Sequence, residues 1–240
     1  MKRRQLPLRP ARSTEAELLD RPGNDPALLA GNLADLRRVN RWLGGVRLTL
    51  AGLGRLTGDL RPGDALRVLD VATGSADIPT AMANWAERRR LRAWILATDR
   101  SAEVLRLAER PETDRVGFAV ADACDLPFAD GSFDIATCSL VLHHLDPDEA
   151  VSMLREMSRV ARRGIVVNDL VRNWPGFAGA WLFSRSLTRN QLTRNDAPLS
   201  ARRAYTRREM RMLLDRAELC PVDSAGFLAY RVAMIAQAPP

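Results

Sequence analysis

The chain holds two histidines, His143 and His144, and they are adjacent. Histidine exchanges a proton near neutral pH, so the pair is the first candidate for general-base work, the removal of a proton from a hydroxyl. The pair stands just past an apolar strand-like run at 133–138. Asp169 follows another such run at 164–167. If the two strands are neighbours, its carboxylate can orient a histidine or bind a substrate hydroxyl. Side chains of adjacent residues are expected to diverge, so one ring faces the substrate. His144 is assigned as base, with Asp169 in support and His143 as the second member of the set. Helix-start packing of the pair is the other reading that the residues leave open.

A second constellation lies upstream. Val68 to Val71 is an apolar run with Asp70 inside it, followed by the small-residue turn Gly74, Ser75 and Ala76 and a helix start with Pro79 in its first turn. Strand, tight turn and helix bring backbone N–H groups close to a ligand. A bound pyrophosphate calls for the three glycines of G-x-G-x-x-G. Only Gly74 is glycine here, with Ala72 and Ala76 nearby, so a dinucleotide fits poorly and an adenosine ligand without phosphate fits better. Asp70 either touches that ligand or orients the turn. Asp99 ends the next strand, 25 residues beyond Gly74, near the spacing of about 20 for an acid that binds ribose. A carboxylate offers two acceptor oxygens, one for each ribose hydroxyl.

Four stretches in order resemble the motifs of class I S-adenosylmethionine-dependent methyltransferases. Asp70-Val-Ala-Thr-Gly-Ser-Ala is similar to motif I. Ala97-Thr-Asp99, Val120-Ala-Asp-Ala123 and 133–145 match later motifs, the last as in small-molecule methyltransferases. The likeness is strong over 66–170 and general to quinone-biosynthesis and natural-product enzymes. It implies S-adenosyl-L-methionine as cofactor and S-adenosyl-L-homocysteine as product. It implies a cofactor site of Asp70, Ala72, Thr73, Gly74, Asp99, Arg100, Asp122, Ala123, Ser139 and Leu140. In the family the acid at Asp122 accepts from the adenine amino group and the N–H of Ala123 meets a ring nitrogen; the residues alone also allow a plain turn acid. A His-His pair with an acid at the following strand end resembles antibiotic-pathway sugar O-methyltransferases. No Asn-Pro-Pro-Tyr sequence is present, which lowers amino-nitrogen acceptors.

These residues need a scaffold. Strands separated by helical stretches argue an α/β, doubly wound Rossmann-like sheet, and the resemblance implies seven strands closed by an antiparallel hairpin. Ligands in such sheets sit beyond the carboxyl ends of the strands. Four regions are expected. Residues 1–60 form a tail (to about 12) and a helical cover, with a short helix over 14–20 and a longer one carrying Leu29, Leu33, Leu36, Asn40 and Leu43. Residues 61–170 form the cofactor-binding core, 171–204 a helical cap, and 205–240 the last helix and closing strands. Arg41 and Trp42 from the cover, and Trp174, Trp181 and Arg185 from the cap, are candidates to meet substrate. Packing on the body is the alternative for both groups.

Composition narrows the partners. The net charge is +7, which invites a nucleic-acid reading. Lys2 is the only lysine among the 36 basic residues, a bias of GC-rich bacterial genomes rather than of a built phosphate surface. Cys124, Cys138 and Cys220 have no metal-ligand spacing, no metal is expected, and reduced thiols fit the cytoplasm. There is no apolar run of the roughly 20 residues that span a membrane. The expectation is a methyltransferase, monomer or homodimer, of secondary metabolism, acting on the hydroxyl of an aromatic, quinone-like or polyketide-like small molecule. Its rivals are an RNA methyltransferase and a cofactor-binding scaffold without catalysis.

Overall fold

The first strand, β1 (Ala65–Val71), lies inside the sheet with a parallel neighbour on either side. Its residues from Val68 onward are buried on both faces, as a parallel strand covered on both sides must be. The computed structural model describes residues 9–237. In chain order follow α3 (Asp77–Arg88), β2 (Arg92–Asp99), α4 (Ala102–Leu107), β3 (Val116–Val120), β4 (Phe133–Ser139), α5 (Pro147–Val160), β5 (Ala161–Leu170), α8 (Arg207–Arg216), β6 (Cys220–Phe227) and β7 (Arg231–Gln237). The order across the sheet is β3-β2-β1-β4-β5-β7-β6. All pairings are parallel except those of β7. The order reverses between β1 and β4, the place where doubly wound sheets open a crevice for ligands.

Each face of the sheet has its own core. Met153, Leu154 and Met157 of α5 and Met210, Leu213 and Leu214 of α8 cover one face. Ile78, Met82 and Ala86 of α3 cover the other, with Leu48, Leu53 and Leu56 of α2 (Gly45–Leu56). Helix starts are marked in sequence and formed as marked. Asp146 accepts from the N–H groups of Asp148 and Glu149 while Glu149 reaches back to the N–H of Asp146, and at α8 Thr206 accepts from the N–H of Glu209 while Glu209 reaches back to that of Thr206, so donors that the helix leaves free are satisfied at both starts.

A cap stands over the carboxyl ends of the strands. It is built from α1 (Pro26–Trp42), α6 (Trp174–Ser186) and α7 (Gln191–Arg203). Asp35 of α1 is its buried knot, accepting from Thr188 at 2.5 Å and Thr193 at 2.8 Å. The expected helix over 14–20 is absent: this stretch is an irregular strap. Its amides are drawn elsewhere, since Leu18 and Leu19 donate to the two carboxylate oxygens of Asp196 on α7, both at 2.9 Å. Of the expected tail, 1–8 lie outside the described residues. Residues 10–12 are packed: Arg172 donates to the carbonyl of Pro10 and Arg12 to that of Arg203.

Candidate functional site

The turn after β1 is where the backbone departs most from ordinary geometry. Ala72 (φ 54°), Gly74 (φ 57°) and Ala76 (φ 57°) all lie in the left-handed region, and Leu140 after β4 joins them at φ 59°. Such strain in non-glycine residues concentrates where a ligand is held. A Cβ on Gly74 would meet nothing within 4 Å, because that side of the turn opens on a cavity of about 1600 Å³. A pocket for one small ligand reaches about 1000 Å³, so there is room for a cofactor and an acceptor together.

Asp99 ties the cradle together. Its Oδ2 accepts from the N–H of Gly74 at 3.0 Å and its Oδ1 from the N–H of Ser101 at 3.0 Å. Burial holds its carboxyl above the usual range, opposed by those two hydrogen bonds. Each oxygen keeps a second lone pair for a ligand hydroxyl. Ala72, Thr73, Gly74, Asp99 and Arg100 line the cavity. So do Asp122, Ala123, Ser139 and Leu140. Asp70 does not. It is 2% exposed, and its Oδ1 accepts from Thr137 at 2.6 Å. Burial first, with the carboxylates of Asp77 and Asp99 adding, raises it to about 7. Its place inside β1, rather than at the strand end, turns it into the sheet, so it belongs to the support of the turn.

Both histidines line the cavity, against the expectation that one would turn away. They sit on a single 3₁₀ turn, Leu142–His144, with ring centroids 4.4 Å apart. Asp169 is also paired otherwise than expected. It holds His143, with Oδ1 2.7 Å from Nδ1 and Oδ2 accepting the backbone N–H of His143 at 3.1 Å. Although burial opposes it, His143 keeps the Asp169 carboxyl below the usual range. The partner of His144 is Asp20, with Oδ2 3.0 Å from Nδ1. Burial would lower the pKa of His144, but Glu17 and Asp20 more than offset it and the net shift is upward. Arg203 fixes the turn from behind, donating to the carbonyls of His143 and His144 at 3.1 and 2.6 Å.

Glu17 and Asp20 are the site residues missed in sequence. The clue was three acids, Glu15, Glu17 and Asp20, ahead of the Arg21-Pro22-Gly23 break, in a stretch read as helix. Helices α6 and α7 occupy the stretch expected as a cap, and the residues of α6 that line the cavity are other than the three expected. Pro175, Gly179, Leu182 and Phe183 line the cavity, at the spacings of three and four that share a helix side. Trp174, Trp181 and Arg185 lie on the neighbouring stripe and do not line it. Trp181 is 49% exposed, and Arg185 donates across to the carbonyl of Arg194 at 2.6 Å. In the last turn of α1, Val39 and Asn40 line the cavity, whereas Arg41 and Trp42 do not. Trp42 is 69% exposed, with the Arg41 guanidinium 5.2 Å from its ring centre.

A family model described as a methyltransferase domain matches residues 69–167. The match covers 99 of the 240 residues and likens this stretch to methyltransferase domains. The Asp99 lone pairs and the open side of Gly74 suit an adenosine that carries no phosphate. A demethylmenaquinone methyltransferase of Beutenbergia cavernae is 39% identical over 140 residues, covering 57% of this chain and 52% of that protein. A ubiquinone/menaquinone biosynthesis C-methyltransferase of Desulfotalea psychrophila is 36% identical over 99 residues, 41% of this chain and 38% of that one. The chain thus spans about half the length of these relatives or less. Human N-acetylserotonin methyltransferase, solved with its cofactor, shares the fold with a TM-score of 0.66 at 16% identity, over 90% of this chain and 57% of that one. Among the described residues no helix is long and apolar enough to cross a membrane.

Proposed function

We propose that this chain methylates a hydroxylated aromatic or quinone-like small molecule, with His144 as the base that takes the hydroxyl proton. The observation that carries this reading is the Asp20–His144 contact at 3.0 Å on the wall of the cavity. A carboxylate can only accept, so Nδ1 of His144 carries its hydrogen and Nε2 keeps the lone pair that a base needs. Asp20 and Glu17 then stabilise the imidazolium that forms. Asp169 holds the neighbouring ring, that of His143. The bound cofactor supplies a methyl group already activated on a sulfonium, which leaves the protein to align it with the acceptor. Leu29, Leu33, Val39 and Phe183 give the acceptor side an apolar wall.

Transfer to the ionised oxygen is the direct outcome. A second reading, transfer to the ring carbon beside that oxygen, draws support from the relative named as a C-methyltransferase; a phenolate shares its negative charge with that carbon, so the same base serves both. RNA has no comparable support. Many arginines are already paired, as Arg159 is with Asp130 and Glu156 and Arg163 with Asp59.

The experiment is turnover of a panel of quinols, naphthols and phenols with labelled S-adenosylmethionine, with the product carbon shift distinguishing O-methyl from C-methyl. His144→Ala should lose about 10²–10⁴ in kcat while keeping its affinity for S-adenosylhomocysteine. Full activity in that variant overturns the base assignment.

A further inference from the structure

Beyond the cofactor cradle, the same cavity wall holds an arrangement that proton transfer does not require. Glu17, His143 and His144 turn three ligand atoms toward one another, all within 4.8 Å. Nε2 of His143 lies 3.6 Å from Oε1 of Glu17, and Nε2 of His144 lies 3.8 Å from Oε2. These separations are too long for hydrogen bonds, whose N···O distances end at about 3.2 Å. Ligands at 2.0–2.1 Å from zinc stand about 3.3 Å apart, so the two Glu17–histidine separations exceed the edge of such a tetrahedron by a few tenths of an ångström.

The second layer strengthens the case. Both histidines present Nε2 to the centre because both Nδ1 atoms face carboxylates, Asp169 at 2.7 Å and Asp20 at 3.0 Å. A carboxylate behind a ligating histidine fixes the ring and raises its basicity, the usual support of a metal-bound imidazole. Glu17 is 2% exposed and is held by Ser200, whose hydroxyl donates to Oε1 at 2.8 Å. Two imidazole lone pairs and a carboxylate thus converge with only electron-rich atoms facing the centre. Arg203, whose Nε lies 3.9 Å from Glu17, directs three of its five N–H groups to the carbonyls of Glu15, His143 and His144. Glu17, Asp20 and Asp169 bring three negative charges against two positive ones, Arg203 beside Glu17 and Arg100 at 3.6 Å from Asp20, so the wall stays net negative and favours a cation.

We infer that Glu17, His143 and His144 form a site for a divalent transition-metal ion, zinc being the best fit, with its fourth position open to the cavity. Three nitrogen and oxygen ligands with one open position is the form of reactive rather than structural zinc sites. The inference shares His144 with the proposed base but does not rest on any acceptor. Its consequence is competition: a bound ion occupies the Nε2 lone pair that proton removal uses, so the ion is an inhibitor of the methyl transfer proposed above.

The test uses the full chain stripped of metal by a chelator. Zinc is counted by equilibrium dialysis, and cobalt is added separately for its visible tetrahedral absorption. One equivalent should bind, with the cobalt bands present. Glu17→Gln should weaken binding at least about 100-fold, and Asp20→Asn, behind the ligand, about 10–100-fold. S-adenosylhomocysteine affinity, measured on the same samples, reports that the variants are folded. Binding that is substoichiometric, or unchanged in Glu17→Gln, overturns the site. Turnover by the wild-type chain should fall in proportion to zinc occupancy and return with chelator. Turnover unchanged or raised at full occupancy overturns the competition while leaving the count of bound metal to stand. Neither binding measurement involves an acceptor, so a failed search for substrate cannot be mistaken for a failed site.

Discussion

Asp20 reaches Nδ1 of His144 across 124 residues of chain, at 3.0 Å. The proposed base is therefore governed chiefly by the N-terminal strap, whose Glu17 and Asp20 come ahead of Asp169 of the sheet in raising its pKa. An anion beside the ring favours imidazolium, so removing it lowers the pKa of His144. Asp20→Asn should move the acid limb of the kcat–pH profile toward lower pH and reduce the plateau, since the base becomes weaker. Asp169→Asn should leave that limb nearly in place, because Asp169 holds His143. A profile that shifts with Asp169 and not with Asp20 would restore the pairing expected in sequence.

The cofactor cradle makes a separate prediction. Asp99 accepts two backbone N–H groups from the flanking turns and still faces the cavity. Hydrogen bonds to a charged group contribute about 1.5–3 kcal/mol, or roughly 10–100-fold in affinity. Isothermal titration with S-adenosylhomocysteine should show a loss of that order in Asp99→Ala. Asp122→Ala, an exposed side chain whose Oδ1 accepts from the N–H of Cys124 at 2.8 Å, should lose less. Equal, wild-type affinity in both variants would remove the acids from the cofactor site.

Why the cradle was legible and the strap was not has a physical reason. Asp99, Gly74 and Asp122 belong to strand ends, where type and spacing are tied to a repeating βα unit, so sequence distance translates into position. Glu17 and Asp20 reach the site only because Asp196, far along the chain, captures the amides of Leu18 and Leu19, and no local pattern records that. The cap failed in a different way. Trp174 and Trp181 stand out by size, but a helix places its cavity side by angle, and Pro175, Gly179 and Phe183 hold that side. The pairing of Asp169 with His143 is likewise a matter of which ring a 3₁₀ turn brings nearer, a difference of one residue.

Asp70 gives a pH dependence of stability. Its carboxyl is raised from 3.8 to about 7, by burial first and by Asp77 and Asp99 in addition, against the hydrogen bond from Thr137. A group whose folded pKa is raised adds stability that is complete below its unfolded pKa and is lost as pH rises through its folded one. His144, raised as well, acts in the same direction. The unfolding temperature of the wild-type chain should therefore fall as pH rises from about 4, where unfolded Asp70 ionises, to about 7, where folded Asp70 does. Asp70→Asn keeps a group that accepts from Thr137 and cannot ionise, so its curve should be flatter over the same range. Parallel curves would mean that Asp70 stays ionised in the fold.

The cap makes the sharpest demand on the register of α6. Phe183 lines the cavity, whereas Trp181 lies outside it with half of its surface in water. Removing a half-buried phenyl ring from an acceptor wall forfeits apolar contact at about 25 cal/mol per Å², felt in binding of the apolar acceptor and not of the cofactor. Phe183→Ala should raise KM for the acceptor several-fold and leave the affinity for S-adenosylhomocysteine unchanged. Trp181→Ala should leave both within about twofold, because exposed substitutions away from packed contacts stay within about 0.5 kcal/mol. The opposite pattern, with Trp181 governing KM, would turn the helix by the 100° that separates neighbouring stripes and return the substrate wall to the tryptophans.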